Sequence, residues 1–118
     1  GKGYIFQSTG KKYVVQQIMK YMEENYREKI SLEQIAANMY LSSFYIAKIF
    51  KSETGDTPIN YLIRLRMEKA KEILEISPEE PIKEVAAAVG YSDAYHFSKL
   101  FKKHYGISPL YYKKDSFS

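Results

Sequence analysis

Apolar side chains recur every three or four residues through most of the chain, which is the spacing of one face of an α-helix. The first such stretch begins at Lys12 and predicts a helix that ends near Arg27. Residues 1–11 carry three glycines and no helical period, so we expect a linker or a remnant of cloning there. Because no segment alternates apolar and polar residues as a strand does, the predicted fold class is all-α.

Local start and stop signals divide the rest of the chain into six further helices, giving seven in total. A serine or threonine precedes five of them, and a glycine able to adopt positive φ ends three. The predicted N-cap residues are Ser31, Ser42, Thr57, Ser92 and Ser108, and the predicted stops are Gly55, Gly90 and Gly106. The fourth helix runs from Pro58 to about Glu75, and the segment SPEEP ends it.

A pattern of sixteen residues occurs twice, with six positions identical in the two copies. "IAKIFKSETGDTPINY" occupies residues 46–61 and "FSKLFKKHYGISPLYY" occupies residues 97–112. Each copy follows a short helix with a small residue in its middle, Ala36 or Ala86, where a second helix can cross closely. This is the pattern of a helix-turn-helix. The predicted organisation is a first subdomain at 12–57, a connecting helix at 58–76 and a second subdomain at 77–118.

The longer helix of each copy has one apolar face and one face with lysines but no carboxylate. In the third helix the outer positions are Phe44, Ala47, Lys48 and Lys51, at i, i+3, i+4 and i+7. In the sixth helix they are Tyr95, Ser98, Lys99 and Lys102. Six glutamates lie instead between residues 68 and 84. Lysines near a duplex release condensed counterions, and helix side chains can read base edges in the major groove.

Composition narrows the classes of function. The chain of 118 residues has a net charge of +4, which fits an anionic partner but also a slightly basic protein with none. The absence of cysteine excludes disulfides, thiolate zinc sites and cysteine nucleophiles. The two histidines, His96 and His104, are eight residues apart, whereas paired metal ligands on a helix are three or four apart. We therefore expect no enzyme activity, no cofactor and no metal site. The chain also has no apolar run that could span a bilayer, so we expect a cytoplasmic protein without membrane contact.

The segment "IKEVAAAVGYSDAYHFSKLFKKHYGISPLYYKK", residues 82–114, resembles the DNA-binding domain of the AraC/XylS family of bacterial transcription regulators, and a weaker resemblance extends back to Lys12. The positions that fit the family pattern are Ile82, Glu84, Val85, Ala86, Gly90, Tyr91, Asp93, Phe97, Lys99, Phe101, Lys102, Gly106, Ser108, Pro109 and Tyr112. Three positions depart from it. His96 replaces a common Tyr, Pro81 a usual capping residue, and Tyr40 a frequent Gly.

The resemblance implies two homeodomain-like helix-turn-helix units joined by a long central helix, binding double-stranded DNA through recognition helices at about 43–54 and 93–105. Transferred by position, the base-contact candidates are Ser43, Phe44, Ala47, Lys48, Ala94, Tyr95, His96, Ser98 and Lys99. The phosphate-contact candidates are Ser31, Ser42, Lys51, Ser92, Lys102 and Lys103. The resemblance further implies a missing N-terminal sensor, receiver or dimerisation domain, and RNA polymerase as a candidate partner.

One rival interpretation is a helical protein-interaction module, anchored on aromatic residues at predicted surface positions. Phe44, Tyr45 and Tyr95 are the candidate anchors. DNA affinity that falls with salt would separate the two interpretations, because only phosphate contact releases counterions.

Overall fold

The structure is a computed structural model that describes the backbone of residues 2–117 and the side chains of residues 10–113. Within these limits the chain forms seven α-helices. No strand is present within these limits, and the predicted all-α class is confirmed. The helices are α1 (Lys2–Asn25), α2 (Leu32–Asn38), α3 (Ser43–Thr54), α4 (Pro58–Ile76), α5 (Ile82–Ala88), α6 (Ala94–Tyr105) and α7 (Pro109–Phe117).

The first helix begins earlier than the sequence predicted, at Lys2 rather than at Lys12. The prediction was wrong because it treated missing periodicity as missing helix. Extending a helix that is already nucleated adds a hydrogen bond for each residue fixed, whereas a glycine costs only about 1 kcal/mol relative to alanine. Residues 1–11 contain no proline, so nothing in their backbone chemistry stops the helix.

Four of the five predicted N-caps are confirmed by hydrogen bonds. The Ser31 hydroxyl accepts from the Gln34 N–H at 3.1 Å, and the Ser42 hydroxyl accepts from the Tyr45 N–H at the same distance. Thr57 and Ser108 cap α4 and α7 in the same way. Each cap satisfies a donor that the first turn of a helix leaves unpaired, which is why the start of these helices could be read from sequence.

The fifth cap was predicted at the wrong residue. The cap of α6 is Asp93, not Ser92, and its carboxylate accepts from the Tyr95 N–H at 2.9 Å and from the His96 N–H at 3.3 Å. The second copy of the repeat has one residue more than the first around its turn. Because of that insertion the counterpart of Ser42 is Asp93, and Ser92 is the added residue.

Two glycines end α3 and α6 as predicted. Gly55 and Gly106 adopt left-handed conformations, with φ of 80° and 78°. Their N–H groups donate to the carbonyls of Lys51 and Lys102 at 2.8 and 2.7 Å. A residue with a Cβ would be strained there, so the repeated glycine fixes where α3 and α6 end.

The first compact unit comprises the described residues up to Asn25 and Ile30–Leu62. Its buried side chains come from α1, α2 and α3, with α4 adding its first turns. They include Val15, Ile18, Met22, Ile35, Ala36, Ile46, Ile49, Phe50, Pro58 and Leu62. Phe50 also meets the edge of Tyr61, with ring centroids 5.5 Å apart. Burial of three residues of α3 on one side leaves the opposite side of that helix to solvent.

The second unit comprises Tyr26–Lys29 and the described residues from Ile63 onward. Its core side chains are Met67, Ala70, Leu74, Val85, Ala86, Val89, Phe97 and Phe101. The last helix is held by hydrogen bonds from Tyr112 to Glu75 and from Lys113 Nζ to the Glu80 carbonyl. Burial and the Glu75 carboxylate raise the pKa of Tyr112 to about 12, so its hydroxyl keeps the proton that it donates.

None of the helices in the described residues is both long enough and apolar enough to cross a membrane.

Candidate nucleic-acid interface

The outer face of α3 carries the first set of predicted contact residues. Phe44 is 80% exposed although it has no polar atom, and Lys48 and Lys51 extend from the same side into solvent. Ser43 and Ala47 lie beside them and are half-buried. The structure therefore brings this set together on one surface and leaves it open to a partner.

Glu53 is the one carboxylate in α3, and it lies away from that surface. It lines a surface groove with Lys12, Val15 and Gln16 of α1. The outer face of α3 thus carries no acidic side chain of its own helix. An anionic ligand on this face meets Lys48 and Lys51 and no carboxylate of α3.

The outer face of α6 carries the second set. Tyr95 is 69% exposed, and His96, Lys99, Lys102 and Lys103 are exposed around it. Ala94 and Ser98 lie on the same helix and are half-buried. Lys102 and Lys103 fall in the last turn, where cations also interact favourably with the helix dipole.

The serine candidates for phosphate contact have their oxygens at helix starts. Ser31 and Ser42 are exposed, and each hydroxyl already accepts from a helix N–H, so its own proton remains available for a donor bond. Ser92 is exposed but has no capping role. The sequence interpretation named Asp93 as a position of the family pattern but gave it no role at the start of α6, where its carboxylate lies beside the predicted contact surface. The fifty-one-residue offset of the second copy was the signal that identifies it.

The described residues contain no group of three or more His, Asp or Glu side chains placed to hold a metal ion. The chemistry of the two outer faces is instead that of positive charge interleaved with apolar and hydroxyl groups. This combination suits a ligand with a charged backbone and flat, partly apolar edges.

Comparisons with known proteins also indicate a helix-turn-helix domain. A helix-turn-helix domain family matches residues 35–115. The MmsAB operon regulatory protein of Pseudomonas aeruginosa is 39% identical over 94 residues, which cover 80% of this chain and 30% of that protein. The chain spans about a third of the length of the curated relatives that it matches.

Solved structures of other proteins share the fold. The C-terminal domain of AraT, a response regulator from Geobacillus stearothermophilus, superposes with a TM-score of 0.83 at 35% identity, covering 86% of this chain and 84% of that one. The DNA-binding domain of AdpA, a global transcriptional factor solved in complex with a target DNA, gives a TM-score of 0.80 at 28% identity and covers 86% of this chain and 90% of that one. The chain therefore belongs to the AraC/XylS family of transcription regulators, in which it corresponds to the helix-turn-helix DNA-binding domain.

Proposed function

We propose that this chain binds double-stranded DNA sequence-specifically, as the DNA-binding domain of a bacterial transcription regulator. The observation that carries the proposal is the pair of matching outer faces on α3 and α6, each exposed and lysine-bearing, with no carboxylate from its own helix on it. The AdpA domain, which has the same fold and was solved with a target DNA, supports it. In the bound state the two helices occupy successive major grooves, so that one chain covers two half-sites.

Base contact falls to the side chains nearest the start and middle of each recognition helix. Those of α3 are Ser43, Phe44, Ala47 and Lys48, and those of α6 are Ala94, Tyr95, His96, Ser98 and Lys99. Lysine can donate to the O6 and N7 atoms of guanine, whereas Phe44 has no polar atom and recognises the thymine methyl group.

Phosphate contact falls to the residues at the rims of the two faces, namely Ser31, Ser42, Lys51, Ser92, Lys102 and Lys103. These contacts set the position of the helices on the duplex and supply affinity that does not depend on sequence. Each neutralised phosphate makes the negative slope of log affinity against log salt concentration steeper by about 0.9.

The remainder of the regulator is part of the proposal. Because the relatives are about three times as long, we infer that the full-length protein has a further sensor, receiver or dimerisation domain. The AraT domain comes from a response regulator, which supports the receiver alternative. RNA polymerase is the proposed partner for activation, in the cytoplasm.

Selection of binding sites from random duplexes, followed by titration at several salt concentrations, tests the proposal. We expect an enriched sequence and an affinity for it that falls steeply with salt. Absence of salt-dependent binding to every DNA pool would contradict DNA binding and favour the protein-interaction module instead.

Lys48→Ala and Lys51→Ala separate base contact from phosphate contact on the same helix. We expect Lys48→Ala to change which sequences are selected, because a base-edge donor is lost. Lys51→Ala should weaken binding to all sequences evenly and reduce the salt slope by about one unit. Equal effects of both variants on selection would contradict this division of roles.

A further inference from the structure

Lys99 and Tyr95 form a pair on the exposed face of α6. The Lys99 ammonium lies over the Tyr95 ring, with Nζ 4.6 Å from the ring centroid. The two residues are four apart, so they are neighbours along one side of the helix. At this distance the negative face of the ring attracts the cation.

The same two positions in α3 do not form such a pair. Phe44 and Lys48 have the same spacing and also face solvent. Within the described residues, Lys48 nevertheless has no ring, ion-pair or hydrogen-bond partner. The two helices therefore differ: Lys99 of α6 is held over a ring, whereas Lys48 of α3 is not.

We propose that Tyr95, besides its own place among the base-contact candidates, is a positioning residue that holds Lys99 ready for base contact. The inference rests on the proposed DNA-binding function and deepens it at α6. A free lysine loses rotamer freedom when it binds, whereas a lysine already confined over a ring loses less. The ring contacts one side of the ammonium, which has three N–H donors, so donors remain for guanine O6 and N7.

A double-mutant cycle on DNA affinity tests the inference, with the duplex selected by the wild-type chain as the probe. An exposed cation–π contact corresponds to about a two- to fivefold change in affinity. We expect Tyr95→Leu to weaken binding by at least that factor and Tyr95→Phe, which keeps the ring, to bind within twofold of the wild type. In a Lys99→Met background, Tyr95→Leu should weaken binding by a smaller factor than it does in the wild-type chain.

The α3 pair is the matched control. Phe44→Leu and Lys48→Met should act independently, so that their fold-changes multiply. If the changes at Tyr95 and Lys99 also multiply, or if Tyr95→Phe is as weak as Tyr95→Leu, Tyr95 acts on DNA independently of Lys99, and the inference is overturned while the proposed function stands. If Tyr95→Leu binds more tightly, the ring withholds Lys99 from DNA and the inference is also overturned. If the wild type binds no duplex, the proposed function itself fails.

The free protein offers a second measurement that does not depend on DNA. Ring currents shield protons above an aromatic face, so the ε-methylene protons of Lys99 should resonate upfield of those of Lys48. That shift should vanish in Tyr95→Leu and persist in Tyr95→Phe. Identical chemical shifts for the two lysines in the wild-type chain would overturn the inference.

Discussion

Tyr40 holds a left-handed backbone conformation, with a φ of 57°, in the turn between α2 and α3. Its position corresponds to Gly90, whose φ is 99°, in the turn between α5 and α6. The hydrogen bonds of the two turns match, because Leu41 N–H donates to the Ala36 carbonyl and Tyr91 N–H to the Ala86 carbonyl, both at 2.9 Å. Since the Tyr40 side chain is 97% exposed, no packing compensates for the backbone strain.

Replacing Tyr40 by Gly should therefore raise the free energy of unfolding. The left-handed conformation costs a residue with a Cβ roughly 1–2 kcal/mol, and the greater freedom of glycine in the unfolded chain takes back about 0.5–1 kcal/mol. We expect a net gain of about 0.5–1 kcal/mol, measured by urea denaturation. Tyr40→Ala is the control, because alanine keeps the strained Cβ. Equal stabilisation by alanine would show that the exposed ring, and not the backbone, is responsible.

At the level of the element, the start of α6 depends on one carboxylate. Asp93 accepts from two N–H groups of the first turn and places a negative charge at the positive end of the helix dipole. Ser92, one residue earlier, makes no capping bond to that turn. Asp93 should therefore stabilise the start of α6, whereas Ser92 should contribute little to its stability.

Asp93→Ala should lower the free energy of unfolding by about 1 kcal/mol, because a capping side chain is lost. Ser92→Ala should change it by less than about 0.5 kcal/mol, as is usual for surface positions. Thermal denaturation of both variants measures the difference. A larger loss of stability with Ser92→Ala than with Asp93→Ala would show that Ser92, the N-cap predicted from the sequence, caps α6.

How far the sequence predicts these elements depends on the range of the interactions. The ends of α3 could be read because Ser42 and Gly55 act within four residues of themselves. The start of α1 could not, since helix extension leaves no periodic signal. The four-residue spacing of Tyr95 and Lys99 is visible in the sequence, but the rotamers that stack them are not. The base and phosphate contacts remain predictions, because the surfaces that carry them are defined without DNA.

At the level of the whole molecule, the chain contributes to the second unit twice, first with Tyr26–Lys29 and again from Ile63 onward. Arg66 joins these two segments. Its Nε donates to the Tyr26 carbonyl at 2.9 Å and its Nη2 to the Glu28 carbonyl at 2.8 Å, across about forty residues of sequence. The side chain is only 9% exposed and lies over the Tyr91 ring, 5.1 Å from the centroid.

No local sequence pattern predicts the hydrogen bonds of Arg66, because their acceptors are backbone carbonyls, which every residue has. Gly90 belongs to the same arrangement. A Cβ placed on it would lie 2.9 Å from the Tyr26 carbonyl oxygen and 3.1 Å from the Arg66 guanidinium. The glycine thus allows the loop after α1 and the arginine of α4 to approach the turn before α6.

Arg66→Met should lower the free energy of unfolding by about 2–4 kcal/mol, since two charge-assisted hydrogen bonds are lost and two carbonyls lose their donor. Arg66→Lys should recover less than half of that loss, because an ammonium cannot present the planar fork that reaches both carbonyls. The measurement is urea denaturation, with amide hydrogen exchange to show that protection falls first around Tyr26–Lys29. Lys83→Met, which removes an exposed charge of α5, is the control and should change stability by less than about 0.5 kcal/mol. Full recovery of stability by Arg66→Lys would mean that the positive charge alone holds Tyr26–Lys29 against α4, and that the planar geometry of the guanidinium is not needed.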